Sequence, residues 1–484
     1  MAKSKSQQSG LFGYEYEQRM KGLMKLPKLK TIANLAAMGK DGLTYKRSND
    51  EKKMLIAFNN VVYDFRAGGD RKGRPSDYIF KKVNHDYDPS APVPKRFLRY
   101  LKSIFKFTEP KPRREFNKKH KDYKELLARY ILEHKDWFRR KKEHESSMIG
   151  FMQVLLGYIL AGSGNERVFL IFWGPEGNNG KTTLMNIFCS IFGDYAVSID
   201  PNVLLSKKMD TSAGAHSSHI LDWEDRRFLF ADETESGKKL DTGFVKRITG
   251  NGFLIARGAH EKEMSRFAQT FTVILLTNNR PHIPSDDSAS WRRTLIIPFY
   301  WSFVNEPDPS KPNQLPIDKN LLEDLKDEYP GIIKWVIDGA EIYRQKQCLD
   351  IPECVKNATL GYKNESDIYL QFIMSCLEPD TDCRLKARSV YNVFLKWCHA
   401  NNHQKVSEKK FSAQMIRLNL EKGSTNQYNT YDRVKFNSVM IDELFEDKDE
   451  AKGFKEYIPL HKEPETQSKA GESRDLAAED AFDV

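Results

Sequence analysis

Residues 168–192 read VFLIFWGPEGNNGKTTLMNIFCSIF. Val168–Trp173 is an unbroken apolar run, as a strand buried on both faces requires. Gly174, Gly177 and Gly180 punctuate a turn that also carries Asn178 and Asn179. Lys181, Thr182 and Thr183 then open an apolar-periodic helix. Strand, glycine-rich turn and helix are the context in which backbone N–H groups and a helix N-terminus face a phosphate chain. Lys181 is placed to reach the β- and γ-phosphates of ATP, and Thr182 to ligate Mg²⁺. One spacing departs from G-x-x-x-x-G-K-[ST]: Pro175 stands at the first glycine position, with Gly174 one place early.

The pattern continues downstream. Arg227–Ala231 is a second apolar strand, ending in Asp232-Glu233, and acids at a strand's carboxyl end lie where α/β sheets bind ligands. Asp232 is the candidate Mg²⁺ ligand and Glu233 the candidate activator of water. Phe271–Leu276 is a third strand, ending at Thr277-Asn278-Asn279, where Asn278 is placed to bond the γ-phosphate and the lytic water. Gly250–Lys262 reads as a β-hairpin with basic residues at its tip. Trp291-Arg292-Arg293 precedes a further strand, Thr294–Phe299. Either arginine suits the completion of a neighbouring subunit's site, which implies a ring of head-to-tail contacts.

Composition bounds the rest. The chain has 484 residues, 39% hydrophobic and 30% charged, with 77 Lys plus Arg against 67 Asp plus Glu for a net charge of +10. The length suits about three domains, and the sign of the charge suits a polyanion such as nucleic acid. The longest apolar candidate, Ile149–Gly162, is short for a membrane span and contains Gln153. The N-terminus leads into no apolar core, so a secretory signal is not expected. Six cysteines without a CxxC pair suit a reducing compartment. Cys376, Cys383, Cys398 and His403 lack zinc spacing and read as buried thiols. The expected location is the host-cell cytoplasm, with no membrane partner.

The order read along the chain is a basic lead-in (1–45), an N-terminal, mainly helical basic domain (46–146), an α/β core (147–304), a Pro-rich linker and helical lid (305–365), a small helical domain (366–445) and an acidic tail expected to be disordered (446–484). In the second of these, Met54–Phe65 reads as strand, turn at Asn59-Asn60, and strand. Residues 95–142 hold 18 basic and 6 acidic residues, a net +12. Tyr123, Leu126, Leu127, Tyr130 and Ile131 fall at helical spacing there, so this segment is either a solvated helical face or a DNA-facing collar. The one-signed excess favours DNA. Ser147–Leu160 reads as a buried helix and Leu321–Gln345 as helical, followed by a polar connection. Residues 387–401 and 407–420 read as two helices, the second with Phe411, Met415 and Leu418 on one face. Lys409, Lys410 and Arg417 lie on its other faces as candidate DNA contacts. A turn containing Gly423 and the segment to Phe436 suit a β-wing. The Asp86-x-Asp88 pair resembles a metal-binding acidic pair but lies in a Pro-rich loop, which disfavours primase chemistry.

The ordered set GPEGNNGKTT, FLFADE, the Gly250–Lys262 segment, and LLTNNRP followed by SWRR resembles the superfamily 3 helicases, in particular the helicase part of phage- and plasmid-encoded primase-helicases and their poxvirus relatives. The likeness runs from about Met54 to about Met440. It implies an α/β fold with an AAA+-like P-loop ATPase core and a C-terminal winged-helix-like domain. It further implies a hexameric ring moving 3′ to 5′ on single-stranded DNA at forks. By the same resemblance, His260 and Lys262 sit near the tip of a DNA-contacting pore hairpin and Asn278 is the sensor. Arg293 is the finger, with Arg292 in reserve. Val61 and Asn251 depart from residues common in the family. The lead-in is short for a primase domain, so a separate primase or polymerase partner is expected. The competing expectation is an origin-binding initiator that uses ATP as an assembly switch and unwinds little. A packaging motor is disfavoured by the motifs.

Overall fold

The structure, a computed structural model, describes residues 54–445 except 78, 115, 117, 207–217, 233–237, 258–263 and 426, together with 458 and 459. It is a mixed α/β chain built around a parallel sheet. The expected lead-in and nearly all of the expected tail lie outside the described residues.

Strands β1 (Leu55–Ala57) and β2 (Val62–Asp64) pair across the Asn59-Asn60 turn as expected, and a third strand, β3 (Gly69–Arg71), completes a small antiparallel sheet. Helices α1 (Lys95–Ile104), α2 (Tyr123–Glu133) and α3 (Lys135–Ala161) follow. The buried helix expected to begin at Ser147 starts twelve residues earlier and crosses the expected domain boundary. No glycine or proline interrupts 135–149. The pairs Arg139–Glu143 and Lys141–Glu145, each at i,i+4, support its charged first half. The apolar face expected on α2 is only partly used: Tyr130 is buried while Ile131 is exposed. Tyr130 packs into an aromatic group with Phe116, His134 and Phe138, and Tyr123 of the same helix also meets Phe116.

The core sheet has the order β10-β4-β9-β6-β5, every pairing parallel. Its strands are β4 (Phe169–Trp173), β5 (Ala196–Ile199), β6 (Phe228–Asp232), β9 (Thr272–Thr277) and β10 (Thr294–Pro298). Helix α4 (Lys181–Phe192) follows β4, and α5 (Thr242–Ile248) precedes the hairpin β7 (Phe253–Ala256) and β8 (Ser265–Ala268). Period-two alternation serves both faces of the sheet. Leu170, Phe172, Ile274 and Leu276 enter a core shared with α1, α3, α4 and the β1–β3 sheet. Phe169, Ile171, Val273 and Leu275 enter a second core with α5 and the hairpin.

Downstream, β11 (Ser302–Val304) pairs in parallel with β12 (Gln314–Pro316), closing the Pro-rich loop into a strap. Helix α6 (Tyr329–Lys346) comes next. The expected polar connection instead contains α7 (Glu353–Glu365), which lies on β10, where Thr359 Oγ1 accepts from Ile296 N at 3.0 Å. The last unit is α8 (Ile368–Cys376), β13 (Leu377–Lys386), α9 (Ala387–Ala400), α10 (Glu408–Arg417), β14 (Glu421–Ser424), β15 (Asn429–Phe436), α11 (Ser438–Leu444) and β16 (Ile458–Pro459). Both expected helices are present, and β14 with β15 forms a hairpin. Gly423 lies inside β14, not in the turn. The unit is α+β, not purely helical: β13 pairs with β15 at its centre, and Cys376, Cys383 and Cys398 are buried thiols. Among the described residues no helix is long and apolar enough to cross a membrane.

Helices α3 and α6 touch backbone to backbone. A Cβ on Gly157 would lie 2.1 Å from Ala340 N, and one on Gly339 would lie 2.0 Å from Gln153 O. Alanine at either site gains about 1 kcal/mol of helix propensity but forces backbone apart, at a cost of about 1–3 kcal/mol or more. Gly157→Ala and Gly339→Ala should each lower the urea midpoint of unfolding. An unchanged midpoint contradicts this packing.

Candidate functional site

The register of the parallel sheet sets the site. Trp173 is level with Thr277, and Asp232 with Leu276, so the carboxyl ends of β4, β9 and β6 finish together. Gly174, Asp232 and Asn278 therefore lie side by side, where open α/β sheets bind ligands.

The 174–180 loop is held from several directions. Gly174 is its close-packed start: a Cβ there would come within 2.7 Å of Phe299 O and within 2.6 Å of the Asn179 amide carbon. This glycine takes up the role that the spacing left open beside Pro175. Asn179 is buried and donates to Phe299 O at 3.0 Å and Trp301 O at 3.3 Å. Its side chain therefore faces the protein and shapes the loop. Asn178 takes a left-handed φ of 57°, and its carbonyl accepts from Phe303 N at 2.9 Å. Gly180, at φ 84°, caps α4, and its carbonyl accepts from the Tyr100 hydroxyl at 2.7 Å. Burial pushes the Tyr100 phenol well above its ordinary range, so it stays a donor. Gly177 is exposed, with open space around it.

Lys181 is buried at the first turn of α4. Its Nζ donates to Asn278 Oδ1 at 2.7 Å and to Asn179 Oδ1 at 3.0 Å. Thr182 Oγ1 donates to Asp232 Oδ2 at 3.4 Å. These two hard oxygen donors suit Mg²⁺ in kind, since that ion takes a hydroxyl and a carboxylate together with phosphate oxygens and water. Thr183 lines a cavity of about 610 Å³ that opens from the loop, walled by Asn178, Gly180, Arg99 and Tyr100 of α1, and Phe303 and Leu315 of the strap.

Other expected residues lie elsewhere. Arg292 is exposed, and Arg293 donates to Ala289 O at 2.7 Å while its Nε is buried without a partner. Both precede β10, whose start is level with Phe169, so they stand about 16 Å from the loop end of the sheet. That places both away from this chain's own loop. Glu233, His260 and Lys262 fall outside the described residues, although the hairpin that would carry the last two is formed. At its entry Asn251 holds a left-handed φ of 56°, which asparagine tolerates. On α10, Lys409 is exposed, Lys410 pairs with Asp286 at 2.8 Å, and Arg417 pairs with Asp367. Asp367 caps α8, so Arg417 is committed to holding that cap. In the 95–142 arm several cations are paired locally, while Lys118, Lys121, Lys124 and Lys135 are exposed.

A D5 N terminal like family model matches residues 35–106, and a Poxvirus D5 protein-like model matches residues 364–447. The two matched segments flank the loop site on either side. Similar proteins include "Putative helicase L207/L206" of Acanthamoeba polyphaga mimivirus, 27% identical over 74% of this chain and 34% of that protein. Frog virus 3 "Putative helicase 022R" is 26% identical over 73% and 39%, and African swine fever virus "Putative primase C962R" is 23% identical over 55% and 28%. The chain spans about a third of the length of these relatives. The solved apo structure of the NrS-1 C terminal region is similar over 75% of this chain and 69% of that one, at 13% identity and a TM-score of 0.36. The resemblance read from the motifs, to the helicase part of primase-helicases, is borne out by the family models and the relatives.

Sequence reasoning missed Tyr100 and Phe303, because neither sits in a motif and each reaches the loop from a separate segment. Tyr100→Phe removes the donor to Gly180 O, worth about 0.5–1.5 kcal/mol. A calorimetric titration with Mg·ATP should show binding weakened about two- to tenfold. Unchanged affinity contradicts the clamp.

Proposed function

We infer that the chain is an ATP-dependent replicative DNA helicase of a virus or other mobile element. The observation that carries this reading is Lys181, buried at the head of α4 and held by Asn278 at the adjoining strand end. Loop, lysine, Thr182–Asp232 and Asn278 together support a P-loop ATPase core of the AAA+-like kind. In this reading Gly177 and Gly180 let a triphosphate approach the backbone, and the cavity beside Thr183 takes the nucleoside. Lys181 passes from the asparagine oxygens to the β- and γ-phosphates, leaving Asn278 to orient the attacking water. Thr182 and Asp232 would hold Mg²⁺, which would supply charge neutralisation at the phosphates. Glu233 follows Asp232 and acts as the base.

The position of Arg292 and Arg293, at the far end of β10, supports use in trans and hence a ring. A hexamer, 3′ to 5′ movement and pore contacts through His260 and Lys262 rest on the family resemblance. The helix–helix–hairpin order of residues 387–436 supports a winged-helix-like domain, with Lys409 as an exposed cation on α10. The exposed lysines of the 95–142 arm suit single-stranded and forked DNA, with phosphates as their partners. A separate primase or polymerase and action in the host cytoplasm complete the reading.

The test is displacement of one strand from a forked DNA duplex by the wild type and by Lys181→Ala. Displacement that needs ATP and is lost in the variant is expected. A wild type that binds the fork and hydrolyses ATP but separates nothing favours the initiator.

A further inference from the structure

Arg280 lies two residues beyond Asn278, outside every role assigned above. Its guanidinium carbon is 4.3 Å from the Trp173 ring centre and 4.7 Å from that of Tyr362, so it sits between two aromatic faces. It is ion-paired with Glu365, at the last turn of α7. Each partner has a second commitment. Trp173 is the last residue before Gly174, and its indole N–H donates to Asn278 O at 3.0 Å. Tyr362 donates through its hydroxyl to Pro281 O. Glu365 lies two residues before Asp367, the α8 cap that Arg417 holds. Arg280 thus touches, in one place, the strand leading into the loop, the segment that carries Asn278, and the helix leading into the C-terminal unit.

The chemistry is specific to arginine. A planar guanidinium stacks on rings and still presents N–H groups edgewise to a carboxylate, whereas an ammonium is a compact point charge. The Arg280 side chain is about one-fifth exposed, held chiefly between the two rings, while Glu365 is more than half exposed and adds a modest surface pair.

We propose that Arg280 is a positioning residue: clamped by Trp173, Tyr362 and Glu365, it fixes the Asn278 backbone so that its side chain meets Lys181, and it ties the nucleotide site to the C-terminal unit. This rests on the ATPase reading above. Arg280 touches no reacting atom. Its effect runs through Asn278, and so appears in turnover more than in substrate affinity.

The experiment measures steady-state Mg·ATP hydrolysis by the full chain, with thermal melting alongside. Arg280→Lys should lower kcat about tenfold and leave KM within about twofold. Trp173→Phe keeps a ring but loses the donor to Asn278 O, and should show the same split. Adding Glu365→Gln to Arg280→Lys should cost little more, because both remove one pair. Unchanged kcat with a lowered melting temperature in Arg280→Lys and Trp173→Phe assigns the cluster to packing and overturns the proposal. Multiplicative losses in the double variant overturn the shared-pair link to α7. A wild type without hydrolysis overturns the ATPase reading and this inference with it.

Discussion

The bond from Lys181 to Asn278 is the contact around which the rest is arranged. A buried ammonium is costly unless oxygens surround it. Here Asn278 Oδ1 at 2.7 Å and Asn179 Oδ1 at 3.0 Å supply them, on the strand end beside the loop and within the loop itself. Both are neutral oxygens, and a polyphosphate offers charged ones to the same ammonium. That arrangement needs β4 and β9 in register, Gly174 close against Phe299 O, and Asn179 turned inward.

The flanking units are structural parts of that arrangement. Helix α1 supplies Tyr100 to the Gly180 carbonyl, and the β1–β3 sheet shares one continuous core with α4. Arg227, fully buried, donates to Leu160 O at 3.0 Å and to Leu55 O at 3.4 Å, joining α3 and β1 to the start of β6. On the other side, α7 lies along β10 and leads into the C-terminal unit. The segments similar to the two D5-type models thus lie on either side of the site in sequence, the first of them supplying Tyr100.

What was legible in the sequence is what local pattern dictates. Unbroken apolar runs announced β4, β6 and β9, and glycine spacing announced the loop between β4 and α4. The i, i+4 pair Phe411 and Met415 announced α10. Among what escaped, three cases have a clear physical reason, one of them only the first half of a helix that was expected. β13 reads LEPDTDCRLK, polar enough to pass for a loop, because only alternate residues such as Cys383 and Leu385 turn inward. α7 lacks a strong apolar stripe and is fixed by packing on β10. α3 runs on through charged residues that read as surface. In the site, Lys181, Thr182, Asp232 and Asn278 were legible from motif spacing and do come together. Tyr100, 80 residues before Gly180, had no local signal, since its role exists only once α1 packs against the loop.

The central claim is that Lys181 and Asn278 form a site for a Mg²⁺-bound triphosphate. Its most direct test is calorimetry of Mg·ATP and Mg·ADP binding to the wild type, Lys181→Met and Asn278→Ala. The account predicts saturable binding by the wild type at one site per chain. It predicts an affinity loss of about a hundredfold or more in Lys181→Met, the worth of a charge-assisted contact of about 3 kcal/mol. It also predicts that Asn278→Ala retains binding while losing turnover. Equal affinity in the wild type and Lys181→Met would contradict it.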